Sequence, residues 1–118
     1  REGTAIEDFF KPDRIIIGGN DHSKLAVLKK LYKNFDAELI ETDPISSQLI
    51  KYLSNTYLPL RLSFVNEASR LIDYSKGNQK DVLKGVGLDS RIGTHYFRPS
   101  PAWGGSCFPK DTKGLVSV

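Results

Sequence analysis

The chain has little of several residue types, and each shortage excludes a class of protein. It has 118 residues with one cysteine and no methionine, so an internal disulfide is impossible and a reducing, cytoplasmic compartment is expected. No apolar run approaches the roughly 20 residues that cross a bilayer, so we expect no membrane partner. The net charge is only +3 and no dense lysine or arginine run is present, so we also expect no nucleic-acid partner.

Two further absences concern possible sites. The Gly-x-Gly-x-x-Gly fingerprint of dinucleotide-binding folds is missing, so the phosphate-binding half of any such domain should lie outside this sequence. His22 and His95 are far apart and only one cysteine could join them, which predicts no metal site. The chain begins at Arg1 and stops at Val118, just after a new helical pattern starts, and we interpret it as an excerpt of a longer protein.

The first forty residues have an α/β pattern. A β-branched run over residues 14–19 ends in glycines and predicts a buried strand. Asp21 suits the N-cap of a helix, and residues 37–41 predict a second strand. A strand, helix and strand within about 30 residues is typical of a crossover between parallel strands. The apolar side of the helix would carry Leu25, Val27, Leu28 and Leu31.

The rest of the chain is predicted to be mainly helical. Residues 46–76 contain no glycine and predict one long helix, with a kink at Pro59. A short helix over 79–84 and a loop over 85–105 should follow. The predicted fold is therefore the α/β tail of a Rossmann-like domain, residues 1–43, followed by a mainly α domain, residues 44–118. The apolar stripe of the long helix comprises Leu49, Leu53, Leu60, Phe64, Ala68, Leu71 and Ile72.

The octapeptide from Gly104 to Asp111 contains the only cysteine, Cys107. Two glycines allow close approach of a ligand to the backbone, and Pro109 suits the first turn of a following helix. A thiol just before a helix N-terminus, with Lys110 nearby, is in a setting that favours the reactive thiolate. The alternative is a buried small hydrophobe, which is the usual role of a lone cysteine. Local context leaves both interpretations open.

Other polar residues have comparable alternatives. Lys51 and Asn55 lie four apart and share one helix face, which could equally be a solvated surface. Asn66 and Glu67 are interpreted as surface or helix-pairing polarity. The segment from Asp89 to Ser100 combines two arginines with an aromatic pair, a mixture that can hold a phosphorylated ligand or form an ordinary basic loop.

Six motifs in order give the chain a clear resemblance. Together they resemble the nucleotide-sugar 6-dehydrogenases, and the resemblance covers essentially the whole sequence. Within that family, the octapeptide is most similar to enzymes acting on UDP-glucose, with GDP-mannose as the alternative substrate. The motifs occupy residues 1–5, 12–18, 50–58, 63–67, 89–93 and 104–111.

The resemblance implies NAD as the cofactor, oxidation of a sugar C6 alcohol to an acid, and a role for each matching residue. Cys107 would be the nucleophile, forming a thiohemiacetal and then a thioester. Lys51 would stabilise the oxyanion and Asn55 would orient the same oxygens or a water. Asp111 would position the hydrolytic water or relay a proton. Glu2 would lie near both the cofactor and the substrate and would take part in catalysis through a water molecule. Lys110 would lie toward the cofactor.

The resemblance also implies a substrate loop and a homodimer. Arg91 would reach the substrate across the dimer interface, and the long central helix would pair with its twin in a second chain. The substrate loop would wrap the sugar and part of the diphosphate, and it comprises Tyr96, Phe97, Arg98, Pro99 and Ser100, together with Gly104.

Two residues depart from the family pattern. Pro59 replaces a usual alanine and should kink the long helix, and Trp103 replaces a smaller or phenolic residue beside the sugar pocket. Because the glycine-rich cofactor loop and the C-terminal nucleotide-binding domain are not in the sequence, we expect the isolated chain to be catalytically inactive. The competing hypothesis is a non-catalytic helical dimerisation module.

Overall fold

A computed structural model describes residues 3–117 of the chain. Glu2, for which the resemblance implies a position near the cofactor, therefore lies outside the described residues. The chain divides into two compact units, Arg1–Lys51 and Tyr52–Val118. One long helix contributes to both units.

The first unit has the α/β crossover that the sequence predicts. Strand β1 (Arg14–Gly18), helix α2 (His22–Tyr32) and strand β2 (Glu38–Thr42) follow one another. The two strands are parallel, with Arg14 opposite Glu38 and Gly18 opposite Thr42. A short helix, α1 (Ala5–Phe10), precedes them, and the sequence analysis did not predict it.

Local contacts explain where the elements of this unit begin and end. The Asp21 carboxylate accepts hydrogen bonds from the backbone N–H groups of Ser23 and Lys24 and so caps α2, as predicted. Gly18 ends β1 where a Cβ atom would lie 2.2 Å from the Ser47 hydroxyl oxygen, so only glycine fits there. Of the four apolar residues predicted for one side of α2, only Leu25 is buried.

The long helix, α3, runs over Pro44–Tyr74 and continues through Pro59, which is buried inside it. Helix α4 (Gln79–Gly87) is capped by Asn78, whose side-chain oxygen accepts a hydrogen bond from the backbone N–H of Asp81. Helix α5 covers Cys107–Val116. The predicted loop over 85–105 is therefore slightly shorter, because α4 extends to residue 87.

Within the second unit, α3 has one buried and one exposed side. The buried residues are Pro59, Val65, Ser69 and Ile72, so a proline and a serine share the core-facing side with two aliphatic residues. The opposite side carries five large apolar or aromatic side chains that are 55–65% exposed. They recur at spacings of three, four and seven, as expected for one helix face. This exposed stripe comprises Leu53, Tyr57, Leu60, Phe64 and Leu71.

Candidate active site

The thiol of Cys107 lies at the N-terminus of α5. The helix begins at Cys107 itself, with Ser106 as its N-cap residue, so the predicted position just before the helix was one residue too early. Cys107 is exposed, and its Sγ atom lies 3.7 Å from the Ser106 Oγ atom. The interpretation of this cysteine as a buried hydrophobe is therefore wrong. A solvent-accessible thiol at the positive end of a ten-residue helix is suited to nucleophilic chemistry.

Asp111 lies one turn further along α5 and is 1% exposed. Its Oδ2 atom accepts a hydrogen bond of 2.7 Å from the Asn55 side-chain amide. Its Oδ1 atom accepts one of 2.5 Å from the Lys110 ammonium group. The fold thus joins two predicted site residues that are 56 positions apart in the sequence. A buried carboxylate held in this way is fixed in direction and compensated in charge.

Lys110 is a persistent positive charge beside the thiol. Its hydrogen bond to Asp111 and the negative charge of that carboxylate raise the pKa of the ammonium group above its ordinary value of 10.5, with smaller contributions from Tyr52 and Cys107. The Lys110 side chain is 67% exposed. The ammonium group is therefore protonated at neutral pH and available to an anionic group that approaches from solvent.

The loop before α5 contains a buried aromatic side chain. Phe97 is 8% exposed, and the Arg61 guanidinium carbon lies 5.6 Å from the centre of its ring. Arg61 also donates a hydrogen bond of 3.0 Å to the Gly93 carbonyl oxygen. Tyr96 adopts a left-handed backbone conformation, with φ of 54°, and its ring centre lies 6.1 Å from that of Phe108. These contacts connect the predicted substrate loop to both α3 and α5.

Two side chains of α3 hold the end of this loop. The Asn66 side-chain oxygen accepts a hydrogen bond of 2.9 Å from the Ser100 backbone N–H. The Trp103 indole N–H donates one of 3.0 Å to the Ser63 hydroxyl. Asn66 therefore bonds to the loop, whereas the sequence predicts surface or helix-pairing polarity for it. Its spacing of eleven from Asn55, three helical turns, places both on one face and could have indicated this contact.

The same loop lines part of more than one cavity. One, of about 780 Å³, lies between the loop and the part of α3 around Asn66 and Arg70. The other, of about 760 Å³, includes four basic side chains of α4 and the loop in its lining, and Pro99 borders both cavities. Cys107 lines neither of them. The four basic residues are Lys80, Lys84, His95 and Arg98.

The remaining predicted residues have separate placements. Lys51 is exposed and belongs to the first unit. It lies on α3, four residues before Asn55. The Arg91 guanidinium forms two hydrogen bonds with Asp89, of 3.0 and 2.6 Å. This pairing raises the pKa of Arg91 and lowers that of Asp89. Gly104 is exposed.

Residues 3–117 contain no cluster of three or more histidine, cysteine or acidic side chains that could hold a metal ion. Over the same residues, no helix combines the length and apolar character that a membrane crossing requires.

Fold and site together define a protein with an α/β crossover unit and a helical unit that presents a thiol at a helix terminus, next to a buried carboxylate. Residues 45–118 match the central domain of the UDP-glucose/GDP-mannose dehydrogenase family, and residues 1–36 match the NAD binding domain of the same family. The chain belongs to this family.

Individual relatives agree with the family match. A UDP-glucose 6-dehydrogenase of Rickettsia conorii is 47% identical over the whole chain, which spans 28% of that protein. The structure of a UDP-glucose dehydrogenase from Pyrobaculum islandicum matches 99% of the chain with a TM-score of 0.93 and 46% identity, and the match covers 27% of that enzyme. A GDP-mannose dehydrogenase from Pseudomonas aeruginosa matches with a TM-score of 0.72 and 30% identity, over 99% of the chain and 27% of that enzyme.

Proposed function

We propose that the chain is the central segment of an NAD-dependent UDP-glucose 6-dehydrogenase, which oxidises UDP-glucose to UDP-glucuronate. The observation that carries this proposal is the cluster around α5. An exposed thiol begins the helix, and a buried carboxylate one turn later is held by an amide from α3 and by a lysine. Such an arrangement suits a covalent intermediate that is later hydrolysed.

The reaction balances with one thiol and two hydride acceptors. Loss of a hydride and a proton converts the C6 alcohol to an aldehyde. The Cys107 S–H adds across the aldehyde C=O bond, giving a thiohemiacetal. Loss of a second hydride and a proton gives a thioester, and water then cleaves the carbon–sulfur bond. The products are a carboxylate, the regenerated thiol, two reduced cofactors and three protons.

Each site residue is proposed to support one step of this reaction. The Lys51 ammonium group stabilises negative charge on the C6 oxygen. The Asn55 side chain orients Asp111 through its amide N–H. Together with Lys51, it also orients the C6 oxygen or the water. The Asp111 carboxylate directs the hydrolytic water and relays its proton. A buried carboxylate suits this role because the hydrogen bonds from Asn55 and Lys110 fix its orientation.

The cofactor proposed is NAD, which accepts the hydrides when bound. The residues proposed to hold it are Lys110 and Glu2. The described part of this site fits such a group, because Lys110 presents a protonated, mainly exposed ammonium next to Cys107. A cation in this position suits a dinucleotide, which carries a negatively charged pyrophosphate.

The substrate loop is proposed to hold the sugar and the diphosphate. Tyr96, Phe97, Arg98, Pro99, Ser100 and Gly104 make up this loop, and Arg91 would contact the substrate bound to the partner chain. Support comes from the anchoring of the loop on α3 and from the exposed position of Arg98. Arginine binds phosphate oxygens with two parallel hydrogen bonds, which suits a diphosphate ligand.

The partner is proposed to be a second copy of the chain, paired through α3. The exposed stripe supports this arrangement, because covering five large apolar or aromatic side chains on one helix face is energetically favourable.

We also propose that the boundary between the NAD-binding part and the central domain lies between residues 43 and 44. The protein is proposed to be cytoplasmic, with no membrane or nucleic-acid partner.

The covalent step can be tested in the full-length enzyme with Asp111→Asn. If Asp111 serves hydrolysis, this variant accumulates a sugar thioester on Cys107 that mass spectrometry of the denatured protein detects. Cys107→Ala is the control, because it leaves no nucleophile at position 107 to form the adduct. Unchanged turnover in Asp111→Asn without an adduct would contradict the role of Asp111.

A second candidate substrate is GDP-mannose, which the similarity to the Pseudomonas aeruginosa enzyme favours. The isolated 118-residue chain is expected to release no NADH with either nucleotide sugar. Measurable NADH from the chain alone would refute that expectation. A non-catalytic dimerisation module is the other candidate, and retention of Cys107, Asn55 and Asp111 in one cluster argues against it.

A further inference from the structure

The segment that carries Cys107 is attached to α3 at both of its ends. On the α5 side, Asn55 bonds to Asp111, and a Cβ atom on Gly114 would lie 3.2 Å from the Tyr52 ring. On the loop side, the attachment consists of two hydrogen bonds from Ser100 and Trp103, which we call the loop anchor. Its acceptors on α3 are Asn66 and Ser63.

Between the loop anchor and α5, two glycines have no side chain that could pack against a neighbouring segment. A Cβ atom on Gly104 or Gly105 would meet no atom within 4 Å. Gly105 has a φ of +87°, a conformation that glycine adopts easily and other residues rarely do. The hydrogen bond from Trp103 to Ser63 holds the chain to α3 four residues before Cys107, and these glycines are the link between that bond and the helix that begins at the thiol.

We propose that Ser63 and Trp103 are positioning residues that set the placement of Cys107 for the reaction. This inference rests on the proposed function. It goes beyond that function because the family resemblance gives Ser63 no role and marks Trp103 only as a departure. The donor is the indole N–H, so the contact requires tryptophan at position 103 and a hydroxyl at position 63.

The two hydrogen bonds of the loop anchor have different consequences. The bond between Asn66 and Ser100 holds the part of the loop proposed to bind the substrate. The bond between Ser63 and Trp103 lies three residues nearer to the thiol. Loss of the Ser63 hydroxyl should therefore disturb the thiol more than substrate binding. A neutral hydrogen bond of this kind changes the population of the anchored loop by about two- to tenfold.

The 118-residue chain offers two reporters in this segment, because it has one tryptophan and one cysteine. Ser63→Ala should increase acrylamide quenching of Trp103 fluorescence. The same variant and Trp103→Phe should each slow the reaction of Cys107 with an aromatic disulfide reagent by about two- to tenfold, because the thiol spends less time at the helix N-terminus. The double variant should react no more slowly than either single variant. Ser63→Thr, which keeps the hydroxyl, should restore both signals, and Ser75→Ala, an exposed serine beyond α3, is the neutral control.

In the full-length enzyme, Ser63→Ala should lower kcat for UDP-glucose by about two- to tenfold and leave KM unchanged, with recovery in Ser63→Thr. A rise in KM with unchanged kcat, or additive effects of the two single substitutions, would overturn the inference. Absence of turnover in the wild-type enzyme would refute the proposed function instead, and the fluorescence and thiol rates would still decide whether the Ser63–Trp103 contact positions Cys107.

Discussion

At the scale of single residues, the buried carboxylate of Asp111 is the feature most sensitive to change. In Asp111→Asn, the side chain keeps its volume but loses its charge and one of its two acceptor oxygens. Either the Asn55 amide or the Lys110 ammonium group then loses its partner at a site that is 1% exposed. We predict a loss of about 1–3 kcal/mol in the free energy of unfolding, measured by urea denaturation of the chain.

The matched control for this prediction is Asp73→Asn, at an exposed position near the end of α3. The same chemical change there should alter stability by less than about 0.5 kcal/mol. Equal effects at positions 73 and 111 would show that the hydrogen bonds of Asp111 do not stabilise the fold.

Cys107 and Asp111 could be proposed as site residues from the sequence because the octapeptide is local, and Pro109 indicated the first turn of a helix there. Sequence reasoning did not identify Asn66 or Ser63 as loop contacts. Both act on residues 34 and 40 positions away, and a polar residue on a helix has the same local pattern whether it faces solvent or another segment.

At the scale of elements, Asp43 makes the stability of the start of α3 depend on pH. Its carboxylate accepts hydrogen bonds from the Ser46 hydroxyl and from the backbone N–H groups of Ser46 and Ile45. The Ser46 hydroxyl is the largest cause of a pKa below the ordinary value of 3.8. A lowered folded pKa means that this contribution is fully present above pH 3.8 and is lost as pH falls through the folded value.

We therefore predict that Asp43→Ala destabilises the chain at pH 7 and that its difference from wild type becomes smaller as the pH falls through the folded pKa of Asp43. Urea midpoints measured at a series of pH values provide the test. Asp43→Asn keeps an uncharged acceptor, so its capping contribution should not titrate. A difference between wild type and Asp43→Ala that persists unchanged at the lowest pH would contradict the assignment.

The exposed stripe of α3 gives the second prediction at this scale. Phe64 is 60% exposed in the chain, and we predict that Phe64→Glu abolishes the proposed dimer, because a charge would be buried at the centre of the proposed interface. Sedimentation equilibrium measures the result. Ser75→Glu adds the same charge at an exposed position beyond α3 and should leave the dimer intact. A dimer that survives Phe64→Glu would mean that the stripe is not the interface.

The elements themselves were largely predictable, and the sides they bury were less so. β1, α2 and its cap, β2 and α3 all follow from periodicity and capping residues. In α2, however, Val27 and Leu31 are 59% and 66% exposed, because periodicity shows which side is apolar and not what covers it. Helix α1 was not predicted because it is only six residues long and has no buried residue.

At the scale of the whole molecule, the chain spans 27–28% of the length of the relatives it matches. The sequence predicted the combination of an α/β tail and a helical domain, and the family match confirms it. The choice between UDP-glucose and GDP-mannose could not be read from the residues present, because the groups that would recognise the base are not among the motifs of this chain.

The most direct measurement is NADH release by the full-length enzyme with UDP-glucose and with GDP-mannose, for wild type and Cys107→Ser. We predict turnover with UDP-glucose and its loss in Cys107→Ser, because serine cannot form the thioester. No turnover with either nucleotide sugar, or full turnover in the serine variant, would contradict a thiol-dependent UDP-glucose 6-dehydrogenase.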